Sequence, residues 1–310
     1  MKINKATIKK IIIIAAAVVV LFTVVSVTAL SCFVTEKFFD KESFVEVIDR
    51  SSLSMIHESG EKAHEWFSAN EKPIEYQAGS FEGKSIEIKN KTTSHSYVII
   101  LRSLMTEPED FSQQAYHFYN LGFNIYIPEY LPDEVTMGIT EKDALKQMID
   151  YVVNNDEDAV IYIYGMGIGA TTTLLYLGED VPQNVKGVIA DSAYCRVDEV
   201  FKENIKEVYN LPEFPFVAIS SLYTDITRGW SYSDVDVISC VEKTQIPVLY
   251  IHGTEDSVVP VNQSNDLFEA TLSEGTKQIT IYGADHCRTL NTDHKKYWRE
   301  VDEFIVTCYE

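Results

Sequence analysis

Three loops of the sequence carry residue types that suit acyl-transfer chemistry, and each follows a short apolar run. The glycine-rich stretch GMGIG (residues 165–169) follows one run, Asp256 follows a second and His286 follows a third. A carboxylate that orients an imidazole makes the histidine a general base. A sharp turn with glycines at both ends is the setting in which α/β enzymes expose a nucleophile. The central residue of this turn is Gly167, which has no side chain with which to attack a substrate.

Alternating strand and helix patterns must position these loops. Strand-length runs rich in apolar residues occur at 97–101, 123–127, 159–164, 248–251 and 278–282. Such runs are typical of strands buried on both faces, and the helical patterns between them predict βαβ units and a mostly parallel sheet. Ligands of open α/β sheets bind beyond the carboxyl ends of the strands, where the three loops are expected to lie.

The other elements are predicted from shorter patterns. Residues 74–77 and 85–88 predict a leading strand pair, and 185–190 predict one more strand. Residues 192–246 are too many for a single crossover, so they predict inserted helices that form a cap over the strand ends. Helices are expected over 112–120, 140–153, 170–177, 267–272 and 297–306.

The order of elbow, Asp256 and His286 along the chain resembles the α/β-hydrolase superfamily. Within it, the chain is similar to a membrane-anchored bacterial branch related to serine-aminopeptidase-type and acyl-ester hydrolases. The resemblance covers roughly residues 70–310 and includes the stretches IADSAY (189–194) and LPEFP (211–215). It implies an α/β-hydrolase fold with a helical cap, a serine nucleophile, a histidine base and an orienting aspartate. Asp256 and His286 match the last two roles, as remnants of a triad.

Three loops depart from the family pattern. Gly167 stands at the nucleophile position, and Arg102-Ser103 stands where the family has His-Gly at the start of its oxyanion loop. The loop at 129–134 (EYLPDE) lacks the family's Asp-x-Arg-Gly-His-Gly motif. Loss of one oxyanion donor alone costs about 2.7–4 kcal/mol of transition-state stabilisation. We assign Arg102, Ser103 and Ile168 to the oxyanion and pocket positions.

Two hypotheses follow for function. The first is a pseudohydrolase that has lost covalent chemistry and binds a small-molecule or protein ligand under the cap, with Phe214, Phe216, Leu222, Tyr223 and Trp230 as candidate lining residues. The second is an active, serine-independent hydrolase of carboxylic esters or amides that uses His286 and Asp256. In that case His286 activates a water molecule, or Cys287 or Cys195 replaces the serine. No cofactor is expected under either hypothesis.

The N-terminus carries the pattern of a membrane anchor. Four lysines occur before residue 11, and residues 11–34 contain no charge. A helix over this run reaches roughly 36 Å, enough to cross a hydrocarbon core about 30 Å thick. The positive-inside rule predicts a single-pass protein of the cell membrane, with residues 1–10 in the cytoplasm and the remainder exported. A cleaved signal peptide, or a lipoprotein signal at Cys32, remains an alternative. Residues 35–72 are expected to form a helical connector before the hydrolase-like domain at 73–310.

Composition excludes one class of partner. Apolar residues make up 45% of the chain, which is typical of a globular protein, and the formal net charge is −21. Nucleic-acid binding needs a basic surface, so this class is excluded. The five cysteines form no C-x-x-C pair and predict no metal site. Whether any of them pair is left open, with buried free thiols slightly favoured.

Overall fold

The computed structural model of the protein describes residues 4–40, 58–104, 106–132 and 134–309. Its strands are β1 (Lys72–Ala78), β2 (Phe81–Ile88), β3 (Ser96–Leu101), β4 (Asn124–Pro128), β5 (Val160–Met166), β6 (Val185–Asp191), β7 (Val248–Gly253) and β8 (Lys277–Ile281). They form one sheet in the order β1-β2-β4-β3-β5-β6-β7-β8. β2 is antiparallel to β1 and to β4, and the pairs from β4 to β8 are parallel. The predicted mostly parallel sheet is confirmed.

Helices alternate with the strands and cover both faces of the sheet. They are α1 (Lys5–Phe39), α2 (Glu58–Asn70), α3 (Ser112–Asn120), α4 (Glu141–Asn155), α5 (Ile168–Tyr176), α6 (Val197–Tyr209), α7 (Glu213–Arg228), α8 (Val237–Val241), α9 (Asn262–Ala270), α10 (Thr289–Thr292) and α11 (His294–Tyr309).

Alternation along the central strands divides the core into two layers. In β5, Ile161 and Ile163 belong to the cluster with α4, α5 and α6, whereas Tyr162 and Tyr164 belong to the cluster with α2, α3 and α11. All four side chains are fully buried. Successive side chains of a strand point to opposite faces, so a strand covered on both sides must be apolar throughout. This is why β5 could be read from its sequence.

The long apolar helix at the N-terminus is α1, and it is the one candidate membrane span among the described residues. It extends beyond the uncharged run at both ends. Its last turns are part of the domain core, since Val34, Phe38 and Phe39 are buried. The expected connector at 35–72 therefore begins inside the core, and α2 packs on α3. Residues 41–57 of that connector lie outside the described residues.

The cap and the candidate site lie at the same edge of the sheet. Residues 192–246 leave the carboxyl end of β6 and return to β7, and they contain α6, α7 and α8. The loops after β3, β5, β7 and β8 open at this edge because all four strands are parallel. These are the loops that carry the predicted site residues.

Candidate functional site

The turn between β5 and α5 has the backbone conformation of a nucleophile elbow. Gly167 has φ +55° and ψ −120°, a region that side-chain-bearing residues enter only under strain. Its N–H donates to the carbonyl oxygen of Asp191 at the end of β6. Gly169 lets the chain pass close to β3, because a Cβ there would lie 2.2 Å from the carbonyl oxygen of Leu101. The turn therefore has the tight backbone geometry that was expected, with a glycine at its centre.

The space that a nucleophile would fill is taken by two other side chains. A Cβ on Gly167 would lie 2.6 Å from the Ser103 hydroxyl oxygen and 3.4 Å from the Cys287 sulfur. The Cys287 thiol donates to the same hydroxyl oxygen over 3.9 Å. The structure thus brings the loops after β3 and β8 onto the elbow. A side chain at the elbow would require the Ser103 hydroxyl to move aside.

The Asp256–His286 pair has the geometry of a base and its orienting carboxylate. His286 Nδ1 lies 2.8 Å from Asp256 Oδ2, and the exposed fraction of the two side chains is 10% and zero. Burial lowers the pKa of His286, but the Asp256 charge and the adjacent Cys287 outweigh it and hold that pKa well above its ordinary value. Burial raises the pKa of Asp256, but His286 and His252 together hold it well below its usual range.

A second histidine, His252, contacts the carboxylate of the Asp256–His286 pair. Its Nε2 lies 2.9 Å from the carbonyl oxygen of Val259 and 3.1 Å from Asp256 Oδ2, and the ring is fully buried. Asp256 Oδ1 accepts the N–H groups of Val258 and Val259 at 3.0 and 2.7 Å. The carboxylate is therefore fixed by the backbone on one side and by two imidazoles on the other. His252 thus holds the carboxylate that orients His286.

The residues expected at the oxyanion position lie at the start of α5 and in the loop after β3. Ile168 is the first residue of α5, so its N–H has no acceptor within the helix. Arg102, expected at the pocket, is 8% exposed and turns away. Its guanidinium donates to the carbonyl oxygen of Thr106 and lies 3.8 Å from Glu107. Its own carbonyl oxygen accepts the hydroxyl of Tyr130. Arg102 therefore braces the loop after β3.

A buried polar network under the site was not predicted. The Asp191 carboxylate, fully buried at the end of β6, accepts the hydroxyls of Ser192, Thr289 and Tyr297 at 3.0, 2.7 and 3.1 Å. Ser192 also accepts the N–H of Cys287 over 3.2 Å. Burial raises the pKa of Asp191 against these hydrogen bonds. The network ties the His286 loop to the elbow. Its signal in the sequence was the stretch 189–194, where a charged residue directly follows an apolar run.

The aromatic residues of the cap pack against other parts of the protein or are exposed to solvent, and they do not converge on one pocket. Trp230 packs edge-on against Phe39 of α1, with ring centroids 5.3 Å apart. Phe214 and Leu222 are exposed, whereas Phe216 is buried. The expectation that these residues line one pocket above Gly167 is wrong, because α1 fills the space against which the cap packs.

In the part of the chain that the structure describes, the cysteines and the acidic residues form no second centre. All five cysteines are unpaired. Burial raises the pKa of Cys195 to about 12, so this thiol is poorly suited to attack. Among the described residues, no group of three or more His, Cys, Asp or Glu side chains is placed to hold a metal ion.

The strand order, the glycine elbow and the Asp–His pair define the α/β-hydrolase fold. Similar solved structures include the esterase Pf2001 of Pyrococcus furiosus (TM-score 0.63, 19% identity, 78% of this chain and 93% of that chain). Est1E from Butyrivibrio proteoclasticus is also similar (TM-score 0.58, 17% identity, 76% and 98%). At such identities the likeness establishes the fold alone.

Sequence comparison adds a relative without an assigned activity. No family model matches the chain. The uncharacterised protein YqkD of Bacillus subtilis is 26% identical over 196 residues, which span 61% of this chain and 64% of YqkD. The chain thus matches slightly less than two thirds of that relative's length.

Proposed function

We propose that this protein is a membrane-anchored pseudohydrolase. In this proposal an exported α/β-hydrolase-fold domain has lost Ser–His–Asp acyl-enzyme chemistry and acts by binding a small-molecule or protein ligand. Residues 11–34 hold it in the cell membrane, with residues 1–10 in the cytoplasm. Gly167, Asp256 and His286 mark the former catalytic centre.

The observation that carries this proposal is the glycine at the centre of the elbow, together with the Ser103 hydroxyl packed against it. Gly167 offers no nucleophile, and the Ser103 hydroxyl oxygen lies 2.6 Å from the point where a side chain at that position would begin. Removal of a triad nucleophile costs on the order of 10⁶ in turnover, even when the remaining site is intact. Here the loop after β3 is also rebuilt around Arg102, so the remaining site is not intact.

The protonation state of His286 supports the same conclusion. Its pKa lies well above the ordinary value because of the buried Asp256 charge and the adjacent Cys287, although burial alone acts in the opposite direction. The raised pKa favours the protonated ring, which has no lone pair to accept a proton. A general base must be unprotonated at its working pH. The pair is therefore suited to stabilising two loops.

The docked end of α1 supports retention of the anchor. Phe38 and Phe39 are buried in the core, and Thr35 donates to Ser220 over 2.7 Å. Cleavage before Cys32 would cut this helix within the docked segment, directly after the buried Ser31. An uncleaved helix therefore keeps the packing of the domain complete.

A covalent probe tests the loss of chemistry. A fluorophosphonate probe should leave the purified full chain unlabelled, and ester turnover should equal that of the His286→Ala variant. Intact mass and peptide mapping after incubation with an activated ester report any adduct. An acyl or phosphonyl group on Ser103 or Cys287, or turnover that is lost in His286→Ala, would overturn the proposal in favour of a serine-independent hydrolase.

Restoring the hydroxyl asks how much of the site remains. We expect Gly167→Ser to stay without ester turnover, because the raised pKa of His286 disfavours the unprotonated base and the oxyanion loop departs from the family pattern. Turnover in this variant would mean that the nucleophile alone was missing. The Gly167→Ala variant is the matched control, since it adds a Cβ without a hydroxyl.

Protease treatment of intact cells tests the topology. We expect external protease to digest the domain and leave a membrane-protected fragment that contains the N-terminus. Mass spectrometry of the mature protein should show an intact α1. A chain beginning at Cys32, or a domain protected from protease until the cells are lysed, would contradict the proposed anchoring.

A further inference from the structure

The C-terminal part of α1 packs against the cap along one face of the helix. Val27 is partly buried against the core, and the buried residues that follow occur at three- and four-residue intervals, as one helical face requires. These residues are Ser31, Val34, Thr35, Phe38 and Phe39. The stripe begins inside the uncharged run and continues beyond it. The membrane helix and the cap therefore share a packed interface.

Specific contacts fix the register of this interface. The Glu36 carboxylate lies 3.0 Å from the Arg228 guanidinium, which also stacks on the Phe39 ring at 5.0 Å. The Phe38 ring packs edge-on against Phe201 of α6 at a centroid distance of 5.1 Å. Aromatic and ion contacts on both sides of one helix leave little freedom for rotation or sliding. The anchor holds the cap rigidly.

The height of the cap above the bilayer follows from the length of the helix. A hydrocarbon core about 30 Å thick takes up about 20 helical residues, which places its outer boundary near Leu30 when counted from Ile11. Val27 already contacts the domain core. The cap therefore meets the outer boundary of the bilayer.

The direction of α7 decides which of its ends faces the membrane. Thr35 contacts Ser220, and the following Glu36 contacts Arg228, so residue numbers rise in the same direction along α1 and α7. The first turn of α7 is consequently its membrane-proximal end. Phe214 lies at this end with an extended backbone (φ −89°, ψ 135°), directly before the regular helix, and its side chain is 81% exposed. The five residues of helix from Pro215 to Ser220 correspond to roughly 7.5 Å, which brings the start of that helix, next to Phe214, to about the height of residue 30.

We propose that the kinked segment at the start of α7 inserts Phe214 into the outer interface of the lipid bilayer. The inference rests on the proposed anchoring by α1 and adds a second point of membrane contact, on the cap itself. Burial of a phenylalanine side chain stabilises such a contact because it removes apolar surface from water. The site edge of the sheet carries the cap, so the former catalytic centre is held close to the outer leaflet. The contact is apolar and needs no anionic lipid, which suits a chain of net charge −21.

Photocrosslinking from single positions tests the contact. The full chain is reconstituted into phosphatidylcholine vesicles with p-benzoylphenylalanine in place of Phe214, Phe22, Ile226 or Leu272, and lipid adducts are measured by mass spectrometry. Phe22 lies on the exposed surface of α1 and reports anchoring. Ile226 and Leu272 are matched exposed controls, on the far end of α7 and on the loop before β8.

The expected result is lipid adducts from Phe22 and Phe214, several-fold above those from Ile226 and Leu272. Adducts from Phe22 with none from Phe214 would overturn the cap contact and leave the anchoring intact. The absence of adducts from Phe22 would overturn the anchoring itself. Crosslinks from Phe214 to a second copy of the chain would identify a dimer surface and overturn the bilayer as its partner.

Discussion

A side chain at the elbow should destabilise the protein in a way that depends on Ser103. In Gly167→Ser the new residue must adopt φ +55° and ψ −120°, which costs about 1–3 kcal/mol. Its Cβ would lie 2.6 Å from the Ser103 hydroxyl oxygen, which must turn out of its preferred rotamer at about 0.5–1.5 kcal/mol. The two effects together predict a loss of about 2–4 kcal/mol, or roughly 5–15 °C in melting temperature for a domain of this size.

Thermal unfolding of the full chain in detergent, followed by near-UV circular dichroism, measures this loss. The control is Ser103→Ala, alone and combined with Gly167→Ser. Because alanine has no hydroxyl, the double variant should regain about 0.5–1.5 kcal/mol relative to Gly167→Ser. If Gly167→Ser melts with the wild type, or if Ser103→Ala restores nothing, then Ser103 does not occupy the elbow and the reasoning for a blocked site fails.

Further predictions concern the buried polar groups. Thr289→Val removes a donor from a buried carboxylate and should lower the free energy of unfolding by about 1–3 kcal/mol in chemical denaturation. Thr35→Val should cost a similar amount, whereas Thr23→Val, on the exposed surface of α1, should cost almost nothing. Nitrogen NMR should find His286 protonated at pH 7, and a neutral ring would contradict its raised pKa. Because the folded pKa is raised, the stability that His286 contributes is complete below about pH 6.5 and declines as the pH rises through the folded pKa. Asp256→Asn should flatten this decline.

The strands were predictable because the central sheet is covered on both faces. The run at 159–164 predicted β5, which the structure places at Val160–Met166. A strand covered on one face would have shown only alternation, and a short alternating run is harder to distinguish from a loop. The same reason made the loops after β5, β7 and β8 identifiable as the place where chemistry would occur.

The contents of the elbow could not be predicted. Ser103 and Gly167 are 64 positions apart, and no local pattern indicates that a hydroxyl from one loop fills a space in another. The packing of α1 against the cap could not be predicted for a different reason. A helix that is apolar on every side has no polar face to mark its buried stripe. Thr35 and Ser31, polar residues at the end of an apolar run, were the one local sign of a packed interface.

The packing of the C-terminal part of α1 against the cap has a practical consequence for anyone preparing the domain without its anchor. A fragment that begins at residue 41 would lose Phe38 and Phe39, and with them the aromatic partners of Phe201 and Trp230. The Ser220 hydroxyl would lose Thr35 as well. The uncovered aromatic side chains of the cap would then form an exposed apolar patch, which favours aggregation during purification. An N-terminal truncation that removes only residues of α1 ahead of Val27 keeps that surface covered.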